Sequence, residues 1–355
     1  MKLYSVLEEN GPIVEREVDR PLVTGDAVLL DVTHVGVCHS DTHIREGGYH
    51  LNGERMLKLA DRGILFPITM GHEIVGRVVE IGDSVVGCKI GDIRLIYPWI
   101  GCGQCAHCLA GNDTFCATPR ALGVGRPGGY AESVYVPDEK YLLDFGEIDP
   151  AWAATLACSG VTAYRATSTV LEGTGPDSPI VVIGAGGVGL TAIAMLRARG
   201  HNNICAVDMN ATNLEAATAL GASVTVHATE PDPSAQIQAA IGGPAAGVID
   251  FVGSTTTATY SVNILGKGGR LALVGLFGGE LIAPTVLMTI KMLTVYGSYL
   301  GELRDLHAVL ALATSGKLPK IPIEAGVLTA ANVEASLDRL THAGVRGRIV
   351  LSPAT

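Results

Sequence analysis

Residues 102 to 116 read CGQCAHCLAGNDTFC, four cysteines at successive spacings of three, three and eight. Thiols gathered this closely read as metal ligands. The chain has eight cysteines, at 38, 88, 102, 105, 108, 116, 158 and 205, too few for a disulfide scaffold in 355 residues. Spacing alone leaves open whether Cys102, Cys105, Cys108 and Cys116 carry chemistry or only clamp the chain. A second set is scattered: Cys38 in GVCHSDTH, His72 in GHE and Cys158 in LACSGVTAY. Singly, a free cysteine or a lone histidine is more often packing than ligand. Together, two thiolates and one imidazole suit zinc, and three protein ligands leave a fourth position for water or substrate.

A third motif, GAGGVG, runs from Gly184 to Gly189 directly after the apolar run PIVVI. A Gly-rich turn alone is weak evidence. Between a buried strand and a helix it fits dinucleotide binding: Gly184 ends the strand, Gly186 lets the backbone approach a pyrophosphate, and Gly187 and Val188 open the helix. Gly189 then allows that helix to pack closely. The next strand ends in Asp208, nineteen residues after Gly189. A carboxylate there accepts from the adenosine ribose hydroxyls and repels a 2′-phosphate, and no Arg or Lys follows it in MNATN, so NAD is expected over NADP.

These residues need a scaffold of two kinds. Up to about Ala154, short apolar runs such as AVLLDVTHVGV (27 to 37) and EIVGRVVEIG (73 to 82) are broken by Gly, Pro and Asp, a pattern expected of a β-rich domain with long loops. From about 180, strands alternate with helical stretches: VGLTAIAMLRARG, NICAVD, NLEAATALG, SVTVHA, GVIDFVG, GRLALVGLF and LTVYGSYLG. That rhythm predicts βαβ units and a parallel sheet. A helix around LRDLHAVLALATSG and a last strand RIVLS follow. The length exceeds one ordinary core, and 48% hydrophobic residues, 45 glycines and 5% aromatics suit an α/β enzyme. A net charge of -10 disfavours nucleic acid and anionic membranes as partners. The opening MKLYSVLEENG has charges within its apolar run, unlike a signal peptide, and no long uncharged apolar window occurs, so a cytoplasmic protein is expected.

GVCHSDTH, GHEIVGRVVEIG, the four-cysteine loop, CSGVTAYRA and VVIGAGGVG stand in the order found in zinc-dependent alcohol dehydrogenases of the medium-chain dehydrogenase/reductase superfamily. The likeness covers essentially the whole chain, and LFPITMGHE and YPWIG resemble segments of the microbial members. The resemblance implies an α/β chain: a GroES-like β-rich catalytic domain (1–155 and 301–355) and a Rossmann doubly wound domain (156–300). It implies NAD, two zinc ions per chain, and a homodimer or homotetramer.

The resemblance also assigns roles. Cys102, Cys105, Cys108 and Cys116 match the ligands of a structural zinc; four thiolates close a tetrahedron and leave no place for substrate. Cys38, His72 and Cys158 match the catalytic zinc, with Glu73 beside it. Zinc lowers the pKa of a bound hydroxyl, so that an alcohol can give hydride to the nicotinamide. Ser40 and His43 match a proton relay. Thr162 matches a position beside the nicotinamide, Arg348 one that reaches the pyrophosphate, and His39 is a weaker phosphate candidate. Many relatives carry Lys or Arg just beyond the ribose-binding Asp, where this chain has Asn210 and Asn213. Trp99, Tyr49, Ala121 and Tyr299 fall in segments that line the alcohol pocket, and Ala121 stands where microbial relatives often have a bulky aromatic. An apolar, widened pocket for primary and secondary alcohols, and for their aldehydes and ketones, is expected. Rival readings are a zinc-lacking quinone or enone reductase on this fold, another zinc-dependent polyol dehydrogenase, a non-catalytic zinc protein, and a nucleic-acid zinc ribbon. The last is opposed by a loop whose only basic neighbours are Arg120 and Arg126.

Overall fold

The computed structural model describes residues 1–53, 55–230, 232–342 and 345–354. Two large sheets organise it. The first runs in the order Ile323–Val327, Arg348–Ser352, Val28–Val37, Glu73–Ile81, Ile93–Ile96 and Leu142–Leu143, with Ser133–Val136 also paired to Val28–Val37. Its centre is the ten-residue strand Val28–Val37, buried at both ends. Two registers there matter for function. Antiparallel pairing of Ile349 with Val37 brings Arg348 next to Cys38, although 310 positions separate them in the chain. Pairing of Gly36 with Glu73 works only because position 36 has no side chain: a Cβ there would run into the Glu73 carboxylate.

The second sheet is parallel throughout and uses six strands: Ile180–Ile183 (β1), Ile204–Asp208 (β2), Val224–His227 (β3), Ala245–Asp250 (β4), Leu265–Leu273 (β5) and Thr294–Gly297 (β6). Their spatial order is β3-β2-β1-β4-β5-β6, the doubly wound arrangement that reverses direction beside β1. All four residues of β1 are buried, which is why IVVI is continuously apolar rather than alternating: helices cover both faces of a parallel sheet. Helix Gly187–Ala198 follows β1, and eight of its twelve residues, Gly189 to Leu196, are buried.

Between the sheets lies the segment that carries Cys158. Asp149 caps helix Pro150–Thr155 by accepting from the Trp152 N–H, with Pro150 in the first turn, where its missing N–H costs nothing. The chain then widens into a π-helical turn, Leu156–Gly160, before helix Val161–Leu171. Such widened turns are frequent at functional sites, and this one holds Cys158 at its centre. Helix Leu303–Thr314 packs on it, and the C-terminal strands return to the first sheet. No helix among the described residues is long and apolar enough to cross a membrane.

Candidate active site

Cys38, His72, Glu73 and Cys158 converge from four places in the chain, all buried, with one ligand atom of each within 4.8 Å of the others. Cys38 ends the central strand and caps helix His39–Arg45, His72 and Glu73 open the next strand, and Cys158 comes from the π turn. The Cys38 and Cys158 sulfurs are 3.9 Å apart. A tetrahedron with zinc–sulfur bonds of about 2.3 Å has edges of about 3.8 Å, so the pair already has the separation two zinc thiolates take. Both ring nitrogens of His72 are buried without a hydrogen-bond partner, and Nδ1 faces the Asp41 carboxylate at 3.2 Å, which leaves Nε2 for a metal. The Cys158 thiol donates to Cys38 and, against burial and with help from Arg348 and His72, holds Cys38 well below the usual thiol range. Cys158 is pushed up in turn by Cys38 and then by burial.

Asp41, which sequence reasoning missed, organises this cluster from behind. Its buried carboxylate lies 3.2 Å from His72 Nδ1 and accepts from the Cys38 N–H at 3.0 Å and the Tyr130 hydroxyl at 2.8 Å. Burial disfavours a charged His72, but Asp41 and Cys38 outweigh it and raise the imidazole well above its ordinary pKa. On the other side, Glu73 and Arg348 form a buried ion pair. Burial pushes Glu73 up to about 8 even though Arg348 pulls the other way.

Helix His39–Arg45 carries the relay candidates. Ser40 lies in its first turn, partly exposed, and His43 one turn on with 12% of its side chain exposed, more enclosed than a surface histidine. The His43 ring is 5.5 Å from those of His39 and Tyr49, and its Nδ1 lies 3.4 Å from Glu46 Oε2. Burial, then His39, lowers the His43 pKa. His39 is exposed.

The glycine turn leaves open space before a helix N-terminus. Gly184 adopts φ 84°, a left-handed value that ends β1. A Cβ on Gly189 would collide with the Gly184 carbonyl, whereas one on Gly186 would meet open space on every side within 4 Å. Gly186 caps a twelve-residue helix whose first N–H groups face that space. Gly187 is closed instead by Arg348, whose side chain a Cβ would strike. Asp208, at the end of β2, accepts from the Ala185 N–H at 2.7 Å and the Asn210 N–H at 2.8 Å, while Asn213 reaches the same carboxylate at 3.4 Å. The two asparagines that replace basic residues therefore hold the acidic side chain in position. Thr162 is buried in the first turn of helix Val161–Leu171, one turn beyond Cys158.

One cleft contains all four pocket residues singled out in the sequence, Tyr49, Trp99, Ala121 and Tyr299. Trp99 stacks obliquely 5.0 Å from His72 and donates from Nε1 to the Ala157 carbonyl at 3.0 Å, which ties this wall to the Cys158 turn. Burial raises the Tyr49 phenol well above its ordinary pKa. Arg62, Thr114 and Cys116 also line the cleft, so it borders the four-cysteine loop.

In that loop all four sulfurs lie within 4.8 Å of one another, with Cys102 to Cys108 at 3.9 Å and Cys105 to Cys108 at 3.4 Å, and no disulfide joins them. Backbone N–H groups of Gln104 and Cys105 lower Cys102 to about 6, as a thiolate ligand needs. The loop is tied to the body through the buried Glu302, which accepts from the Thr114 N–H and hydroxyl, and through Arg304, which donates to Gly111 and Asn112 at 3.0 and 2.9 Å.

A nucleotide turn beside a buried cysteine–histidine cluster, with a separate closed tetrathiolate loop, defines a zinc-binding dehydrogenase. Family comparison agrees: residues 24–145 match the alcohol dehydrogenase GroES-like domain and residues 187–315 the zinc-binding dehydrogenase domain. An NAD-dependent alcohol dehydrogenase of Sulfurisphaera tokodaii is 36% identical over 99% of this chain and 100% of its own. An alcohol dehydrogenase of Geobacillus stearothermophilus is 32% identical over 99% of each chain. The crystal structure of the alcohol dehydrogenase from Aeropyrum pernix superposes with a TM-score of 0.90 at 31% identity, over 99% of this chain and 100% of that one. The chain belongs to the zinc-dependent alcohol dehydrogenases of the medium-chain dehydrogenase/reductase superfamily.

Proposed function

We propose that this chain oxidises primary or secondary alcohols to aldehydes or ketones, reversibly, with NAD as hydride acceptor and two zinc ions bound. The observation that carries the reading is the position of Arg348, which closes the Gly187 end of the nucleotide turn and pairs with Glu73 in the metal cluster. The nucleotide turn and the metal-ligand cluster are thus one side chain apart, the proximity that hydride transfer from an alcohol to a nicotinamide would need. Zinc, when bound, supplies the Lewis acidity that lets an alcohol release its proton near neutral pH.

The chain's own residues do the rest. Cys38, His72 and Cys158 would hold the metal, with Glu73 beside them and Trp99 against His72. Ser40 would take the alcohol proton at its hydroxyl while releasing its own through the cofactor ribose to the His43 imidazole, which lies beside Glu46 on the way to solvent. Trp99 and Ala121 orient the carbon chain and exclude water from the reacting carbon. Gly184 to Gly189 and Arg348 bind the pyrophosphate, with His39 at its edge, Asp208 takes the ribose, and Thr162 lies along the nicotinamide. The tetrathiolate loop fixes one side of the cleft and takes no part in the chemistry. This division matches a catalytic domain of residues 1–155 and 301–355 around an NAD domain of residues 156–300.

The protein acts as a homo-oligomer in the cytoplasm. Phe277, Ile282, Val286, Ile290 and Met292 are each more than 60% exposed and cluster before β6, which forms the sheet edge, so a second copy covering that edge would bury them. Eight free thiols suit a reducing compartment.

The test is a panel of primary, secondary and benzylic alcohols assayed for NADH formation, with zinc counted on the same sample. Turnover with about two zinc per chain is expected. A metal-replete protein that reduces no NAD with any member of the panel would defeat the assignment.

A further inference from the structure

The substrate cleft contains a cation that the chemistry above does not use. Arg62 ends the short turn Ala60–Arg62, which is fixed by the Arg62 N–H donating to Leu59 at 2.9 Å and by Gly63 in a left-handed conformation at φ 74°. Arg62 lines the cleft with Tyr49, Trp99 and Tyr299. No hydrogen bond or ion pair engages it among the described residues, in contrast to the neighbouring Arg55, which is held by Glu280 at 2.8 Å.

Burial orders the groups along the cleft. Trp99 is buried at the inner end, 5.0 Å from the buried His72, whereas Tyr49 is partly buried and Tyr299 and Arg62 are exposed. Arg62 therefore stands at the outer end of the cleft, away from the metal cluster. Asp113, the carboxylate in the same lining, is nearly buried and held at the loop side by the Tyr141 hydroxyl at 3.4 Å.

The geometry points to a substrate that carries a carboxylate at the end remote from its hydroxyl or carbonyl group, received by the Arg62 guanidinium past the Tyr49–Tyr299 pair. This inference rests on the alcohol dehydrogenase reading. An arginine fork matches a carboxylate in a way a neutral chain end cannot reproduce, and Tyr49 and Tyr299 add hydroxyl donors along the path. The net charge of -10 makes an unpaired guanidinium inside a cleft a local exception, the arrangement that discriminates among substrates rather than attracting anions in general.

The experiment compares kcat/KM for 4-(hydroxymethyl)benzoate and its neutral analogue 4-methylbenzyl alcohol, in the wild-type holoenzyme and in Arg62→Ala, Arg62→Lys and Arg62→Glu. Arg62 is exposed and no fold contact depends on its head group. The acid-to-neutral ratio is expected to fall about tenfold in Arg62→Ala, between the small effect of an open surface pair and the larger one of a desolvated pair. The change should be in KM, because the contact is made equally in ground and transition states. Arg62→Lys should keep most of the ratio, Arg62→Glu should lower it further, and added salt should compress the wild-type preference. A ratio unmoved by Arg62→Ala, or equal losses with both substrates, overturns the inference while leaving the dehydrogenase reading intact. Wild-type turnover of other alcohols but not of 4-(hydroxymethyl)benzoate overturns the inference alone, and no NADH from any primary, secondary or benzylic alcohol overturns both.

Discussion

The Asp41 carboxylate stands 3.2 Å from Nδ1 of His72 while also accepting from the Cys38 N–H and the Tyr130 hydroxyl. One acid thus lies against two candidate metal ligands, and by facing Nδ1 it leaves Nε2 for the ion. Carboxylates behind a ligating histidine typically matter by 10- to 100-fold in metal affinity or activity. Asp41→Ala should weaken retention of one zinc by about that factor in a chelator titration, with the second zinc held as before. Loss of the tetrathiolate zinc instead would show that Asp41 serves the fold rather than this site.

Cys105→Ser addresses the loop. Four thiolates on one ion supply apparent binding energies of about 10 to 16 kcal/mol in isolated zinc-finger peptides, so removing one should undo local order. The loop would also pull on Glu302 and Arg304, which anchor it to helix Leu303–Thr314. The melting temperature should drop, one tightly bound zinc should remain, and molecules still folded should keep a measurable kcat with a raised KM, since Cys116 and Thr114 line the cleft. An unchanged melting temperature with kcat alone lost would place the chemistry in the loop.

Legibility in the sequence tracked whether a residue's partners are near it in the chain. The four loop cysteines sit within fifteen residues, and GAGGVG carries its own strand and helix, so both could be read directly. Cys38, His72 and Cys158 lie far apart and gained meaning from ordered resemblance across the chain. Asp41 gave no signal: three residues from Cys38, it looks like an ordinary first-turn acid, and only the fold brings His72 and Tyr130 to it. Arg62 was silent for the converse reason, since nothing in ADRG tells which cleft it borders. Arg348 could be matched to a phosphate role, but its pairing with Glu73 depends on the strand register beside Val37.

Asp208 accepts from the Ala185 N–H within the nucleotide turn as well as being free to meet a ribose. Asp208→Gly with Met209→Arg, the latter at a position 78% exposed, should therefore do two things. The NAD-to-NADP efficiency ratio should fall by at least about tenfold, as a hydroxyl acceptor is removed and a cation is supplied for the 2′-phosphate. The melting temperature should also decline modestly, because the turn loses an acceptor. A ratio that stays put means Asp208 braces the turn only.

Gly186 and Gly189 separate cofactor space from packing space within one turn. At Gly189 a Cβ would overlap the Gly184 carbonyl, a backbone atom that cannot swing aside, so Gly189→Ala must displace the start of helix Gly187–Ala198 from β1. Eight buried residues of that helix would shift with it, and overpacking of this kind typically costs about 1 to 3 kcal/mol. At Gly186 the same methyl meets no protein atom within 4 Å and φ is -74°, which any residue adopts, so the folded chain has nothing to lose. It would instead enter the space in front of the helix N-terminus, where the pyrophosphate must approach the backbone. Gly186→Ala should hold its melting temperature without cofactor and raise the Kd for NADH more than about tenfold in a fluorescence titration. Gly189→Ala should lose several degrees of melting temperature with or without NADH. If Gly186→Ala bound NADH as tightly as the wild type, the open space before it would not be the phosphate site.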